Sequence, residues 1–195
     1  AMTHELRNSL QVIDWNVQAA AETVDPDFDR RDPLEAATGA AGRMGNLVDD
    51  FTVLARYGQT VEELAETDLR EAVADARREA DTDIAVTVVD DATIEAEPRR
   101  LRALFASAFE FADRNGATGV TVEVTRDGFA ITDDGDPPMD PVEKYFSYDE
   151  AIPDARAGMK LPNVRSLASV HGWEVAVDAG YREGVRVVVS GVRLL

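Results

Sequence analysis

The sequence predicts an α+β chain: an antiparallel helical hairpin that forms a dimeric four-helix bundle, followed by a two-layer α/β sandwich. Three observations carry this expectation. Apolar residues recur at alternating steps of three and four through the first part of the chain, the period of an amphipathic helix. From residue 68 onward that period gives way to helical stretches interleaved with short runs of alternating Val, Ile, Thr and Phe. Finally, one hairpin cannot cover two apolar stripes, whereas two hairpins can, which makes a homodimer the expected state.

Taken in order, residues 1–57 hold the hairpin. Leu6, Leu10, Ile13, Val17, Ala20 and Val24 line its first helix, and Asp25-Pro26 and Asp32-Pro33 bound the loop. Leu34, Ala37, Ala41, Met44, Val48, Phe51 and Ala55 line the second helix. Residues 58–67 read as a connector, and residues 68–195 as the second domain. There, Asp68 and Glu71 have the spacing of a helix-capping box, predicting a helix to about Ala80. Ile84 to Val89 alternate as a strand. Pro98 suits the first turn of a helix that runs through Arg114. Val120–Val124 and Phe129–Thr132 form a strand pair across Arg126-Asp127-Gly128. Pro162 opens a helix that stops at Gly172, and Trp173–Val177 with Val185–Val189 make a closing hairpin.

Composition narrows the function classes. Net charge is −18, and only Lys144 and Lys160 of the 20 basic residues are lysines. Acidity with so little lysine resembles proteins of salt-loving archaea, since at molar salt the Debye length falls to about 3 Å and dense carboxylates stop repelling one another. No basic stripe exists to meet the phosphates of a nucleic acid. The absence of cysteine excludes disulfides and thiolate metal sites and fits a cytoplasmic protein. No apolar run is long enough to span a membrane. Ala1 precedes Met2 and the first helix begins almost at once, as expected of a fragment.

The first helix carries the most specific chemistry. A helix turns about 100° per residue, which sets His4, Asn8, Gln11 and Trp15 opposite the apolar stripe. Glu5 can take the proton from one ring nitrogen of His4, leaving the other as the better nucleophile. Asn8 lies at i+4 from the imidazole, within side-chain reach. Trp15, with Gln11 beside it, is the type of exposed aromatic that anchors a partner. The segment Thr3-His4-Glu5-Leu6-Arg7-Asn8-Ser9-Leu10 resembles the phosphoacceptor box of two-component sensor histidine kinases, usual form S-H-E-L-R-N-P-L, with Ser9 for the proline. The resemblance implies that His4 accepts phosphate from ATP and passes it to an aspartate of a response-regulator receiver domain. It implies too that Asn8 orients a hydrolytic water, with Gln11 and Trp15 on the docking face.

Residues 68–195 resemble the ATP-binding domain shared by histidine kinases, gyrase and a heat-shock chaperone, and three local matches support it. The run Leu101 to Gly116 resembles the asparagine box, L-x-x-L-F-x-N-L-F-x-N-A-x-x-x-G, yet its two asparagines fall on Ser107 and Phe111. The second would supply the oxygen that holds Mg²⁺, which phenylalanine cannot do. Glu110 stands about 100° round the helix, and Asn115 is a full turn farther on. Ile131 to Met139 resembles the first glycine box, D-[ND]-G-x-G-[IM], with Asp133 at the adenine-binding carboxylate, Gly135 kept and Pro137 replacing the second glycine. Arg156 to Arg165 resembles the second glycine box, with Gly158 kept and Arg156 and Lys160 in the other glycine positions. Non-glycine residues at positive φ would cost about 1–2 kcal/mol each, and the two cations are alternative phosphate contacts. His171 reads as structural, at a helix end.

ATP and Mg²⁺ are therefore the implied cofactors, in boxes altered at three places, which implies weakened or lost ATP-dependent activity. The pattern is that of a haloarchaeal histidine kinase core acting through His4. A non-catalytic scaffold, or a phosphorelay or phosphatase module that binds a response regulator without ATP, fits the same pattern.

Overall fold

In the computed structural model the chain divides into two compact units, Ala1–Thr52 and Val53–Leu195. The structure describes residues 63–146 and 160–195, together with residues 12, 13, 15–17, 19, 20, 37, 40, 41, 44, 48 and 52 of the first unit. His4, Glu5, Asn8, Gln11 and Gly158 lie outside the described residues, as do the hairpin loop and residues 58–62 of the connector.

The described residues of the first unit are all helical. Asn16 Nδ2 donates to Val12 O and Thr52 Oγ1 donates to Val48 O, both one helical turn back. Ala41 is buried, whereas Ile13 and Met44, two other members of the apolar stripes, are 48% and 44% exposed in the single chain. Trp15 is the most open large apolar residue described, at 70% exposed.

The second unit runs β1 (Ala65–Asp68), α1 (Leu69–Glu79), β2 (Ala85–Val88), β3 (Thr93–Ala96), α2 (Pro98–Arg114), β4 (Gly119–Thr125), β5 (Gly128–Asp133), a 3₁₀ helix (Val142–Phe146), α3 (Lys160–Ser169), β6 (Glu174–Val177) and β7 (Arg186–Ser190). Five strands form one sheet in the order β2-β4-β5-β7-β6, with β2 parallel to β4 and the other pairs antiparallel. The strand pair and the closing hairpin expected from alternation are both present. β1 and β3 make a separate antiparallel ribbon.

Register explains the core. Paired residues share a face: Val86 and Val88 pair with Val120 and Val122, Val122 and Val124 with Ile131 and Phe129, these with Val187 and Val189, and those with Val177 and Val175. Against these pack the apolar sides of the helices. Phe105 of α2 meets Phe129 at 5.2 Å, and Trp173 approaches Phe129 edge-on at 6.1 Å. Each large side chain removed from water here contributes about 1.5–3 kcal/mol. The caps follow the sequence: Asp68 Oδ1 accepts from Glu71 N at 2.7 Å, and Glu97 caps α2 ahead of Pro98 by accepting from the N–H groups of Arg99 and Arg100. Among the described residues no helix is long and apolar enough to cross a membrane.

Two boundaries differ from expectation. Ala65–Thr67, expected as connector, form a strand with Asp68, because this backbone finds a partner in Thr93–Ala96, where no element was expected. Helix α3 already includes Lys160 and Leu161 ahead of Pro162. The proline still sits in the first turn, where its missing N–H has no helical acceptor to lose.

Candidate functional site

The sheet's apolar face ends at Asp133, the last residue of β5, which pairs with Val120. Burial of the carboxylate there needs donors, and the chain supplies three to a single oxygen. Asp133 Oδ1 accepts from Gly135 N at 2.9 Å, Val185 N at 3.0 Å and Asn115 Nδ2 at 3.3 Å. Loss of water nevertheless dominates, and burial pushes the Asp133 carboxyl above its ordinary value of 3.8, against the lowering effect of these N–H groups.

The loop after β5 is held just as closely. Asp134 accepts from Gly119 N, Thr118 N and Thr118 Oγ1, which together draw its carboxyl below the usual range. Asn115 Nδ2 donates to Asp136 O at 2.9 Å, and Asn115 O accepts from Asp136 N at 3.0 Å. Gly135 is required by close approach: a Cβ there would lie 2.6 Å from Asn115 O. Gly184, at φ +139°, brings the β6–β7 connection so close that a Cβ would lie 2.1 Å from Asp133 O. No described non-glycine residue has positive φ, Pro137 included. Helix arithmetic had set Asn115 a turn too far to matter for the metal position, yet it is the residue that joins α2 to this loop.

Toward the other end of the site the polar groups give way to packing. Phe111 is 3% exposed and meets Tyr145 edge-on at 5.9 Å. Tyr145 in turn accepts through its hydroxyl from Met139 N at 3.1 Å. Ser107 is buried as well. Glu110, beside Phe111, does not reach into a ligand space; its Oε2 lies 2.6 Å from Lys160 Nζ. Lys160 is helical and buried, so it escapes the positive-φ penalty expected of a residue in a glycine position. These side chains do not fit Mg²⁺, which needs several oxygen ligands: Phe111 has no oxygen, and the adjacent Glu110 carboxylate is held by the Lys160 ammonium. Among the described residues no group of three or more His, Asp or Glu is arranged to hold a metal ion. An adenine amine would have to reach Asp133 Oδ2, because Oδ1 already serves three protein donors.

His171 is structural, as its position at a helix end implied. Its Nε2 accepts from Glu97 N at 3.1 Å, so Nδ1 carries the proton and donates to Leu167 O at 2.7 Å. The ring stacks on Trp173 at 4.2 Å, and burial lowers its pKa below the ordinary 6.5.

Comparison of the whole structure with solved ones identifies the architecture. Full-length ShkA, crystallised in complex with AMPPNP, aligns over all of this chain with a TM-score of 0.56 and 23% identity, and the chain spans 45% of its length. The Acinetobacter baumannii histidine kinase AdeS aligns over 98% of this chain and 96% of its own, with a TM-score of 0.51 and 14% identity. The mycobacterial sensor histidine kinase MprB aligns over 68% of this chain and 99% of its own, with a TM-score of 0.50 and 22% identity. The second unit has the fold of a histidine-kinase ATP-binding domain. Identities this low establish fold alone. No family model and no curated protein sequence matches the chain. Within the histidine-kinase-type fold, Asp133, Gly135 and Asn115 come together at one end, and Phe111, Glu110 and Lys160 at the other.

Proposed function

We propose that the chain is the core of a two-component signalling protein. In this reading His4 accepts a phosphoryl group and hands it to the aspartate of a response-regulator receiver. The observation that carries it is the run His4-Glu5-Leu6-Arg7-Asn8 at the start of a sequence with amphipathic-helix periodicity, joined to a unit with the histidine-kinase ATP-binding fold. Glu5 holds the proton of one ring nitrogen while the other attacks phosphorus. Asn8 orients the water that removes phosphate from the regulator, and Gln11 with Trp15 forms the docking face. Half-exposed Ile13 and Met44 support closure of the hairpin by a second copy into a four-helix bundle. The hairpin (1–57), connector (58–67) and ATP-binding-type domain (68–195) then act as separate parts in a salt-rich cytoplasm.

The packing of Phe111 under Tyr145 and the Glu110–Lys160 contact favour one form of this reading. The hairpin serves as a phosphorelay, phosphatase or regulator-binding scaffold, and the second unit does not charge it from Mg-ATP. Incubation with radiolabelled ATP, and separately with a radiolabelled phospho-receiver, in molar KCl decides between the forms. Label on His4 from ATP, absent in His4→Ala, identifies an autokinase. Label or dephosphorylation only from the receiver identifies the relay or phosphatase. No exchange by either route, with no receiver binding, removes the proposal.

A further inference from the structure

Glu110 and Lys160 meet where α2 and α3 pack together. The contact is 2.6 Å, and their side chains are 23% and 8% exposed. Phe111 next to Glu110 is buried against Tyr145, and Leu161, Pro162, Asn163 and Val164 beside Lys160 are all buried. An ammonium and a carboxylate have thus been drawn largely out of water together. Desolvation makes either one costly here without the other.

We propose that this ion pair is an internal strut standing where the fold implies a metal-bridged phosphate. It ties α3 to α2 with a cation of the protein itself, so the second unit closes without nucleotide and rejects Mg-polyphosphate. The inference deepens the relay-or-scaffold form of the proposed function but does not require His4 to carry phosphate.

Charge supports the exclusion. Mg²⁺ would bring two positive charges to this position, whereas Lys160 and Glu110 together bring none. The loop at the opposite end adds Asp133, Asp134 and Asp136. A polyphosphate approaching those carboxylates would add like charge, and Lys160 could reach it only by giving up its contact with Glu110. Phe111 offers no lone pair in exchange. Molar salt does not remove the strut, because buried pairs are screened far less than exposed ones.

Thermal unfolding of the full chain in molar KCl tests both halves. For the native chain, AMPPNP with MgCl₂ should leave the midpoint where MgCl₂ alone leaves it. An upward shift that requires both nucleotide and metal overturns the exclusion, whatever the variants do. Lys160→Met and Glu110→Gln should each lower the midpoint, and the double variant should recover most of that loss, since no lone charge is left buried. Additive losses, or no loss in either single variant, overturn the strut. His4→Ala should leave every one of these readings unchanged, so failure of the phosphoacceptor proposal and failure of this one are told apart.

Discussion

The two ends of the candidate site differ in kind. At the Asp133 end a buried carboxylate oxygen is already engaged by the protein's own N–H groups. At the Phe111 end the contacts are an aromatic pair and an internal ion pair. The contrast teaches that a buried polar residue can be explained by the protein's own donors without any ligand. Asp133 joins β5, α2 and the β6–β7 connection, a role that would hold the residue in place with or without adenine. Phe111 joins α2 to the 3₁₀ helix by packing, a role that asparagine could not fill.

Changes at three positions test this contrast, the largest first. Gly184→Ala strikes the Asp133 end, where the new Cβ would lie 2.1 Å from a carbonyl on a backbone at φ +139°. A loss of more than about 4 kcal/mol in chemical denaturation is expected, the range of a change that forces backbone to move. A loss under 1 kcal/mol, about the effect of an ordinary surface change, would mean that the β6–β7 connection does not press on Asp133. Phe111→Ala strikes the other end and should cost about 3–5 kcal/mol through lost packing. Phe111→Asn should be no milder, since its amide would be buried against Tyr145; a stabilised Asn variant would show that the pocket still prefers a polar group.

Asp133→Asn is the smallest change and the most informative about polar balance. Burial raises the folded-state pKa above 3.8. The folded chain then holds the proton more tightly than the unfolded chain. Its contribution to stability is full below 3.8 and is lost as pH rises through the folded value. Asparagine keeps an oxygen for the three donors and has no charge to desolvate. The stability of the native chain relative to this variant should therefore fall as pH rises from 3.8 and level off above the folded pKa. A difference that grows with pH instead would mean that the ionised carboxylate is favoured by its donors.

Much of the second unit was legible from the chain itself. Pro98, the apolar run from Leu101 to Phe109, and the alternation in Val120–Val124 and Phe129–Thr132 each report local periodicity, and each element formed as read. The β1–β3 ribbon was not legible, because Ala65–Asp68 is short and largely exposed, and its partner lies a helix and a strand later. The candidate site was legible as a set of positions but not as contacts. Rotation along α2 correctly separates Glu110 from Phe111, yet says nothing of Lys160 on another helix. The same arithmetic dismissed Asn115, whose importance comes from the loop that folds back over it after β5.

The imidazole of His171 couples two helix ends across 74 residues of chain. Its bare nitrogen receives the amide that precedes α2, while its protonated nitrogen closes onto the final turn of α3. Unzipping either terminus must release the other, so deuterium should enter the Glu97 amide and those of the α3 C-terminal turn with a common opening rate. Mild acid adds a second handle. Since the folded imidazole resists protonation relative to its usual 6.5, stability from this clasp holds above that pH and drains away as pH falls through the folded value. Two segments that fray independently in most helical proteins would here fray as one.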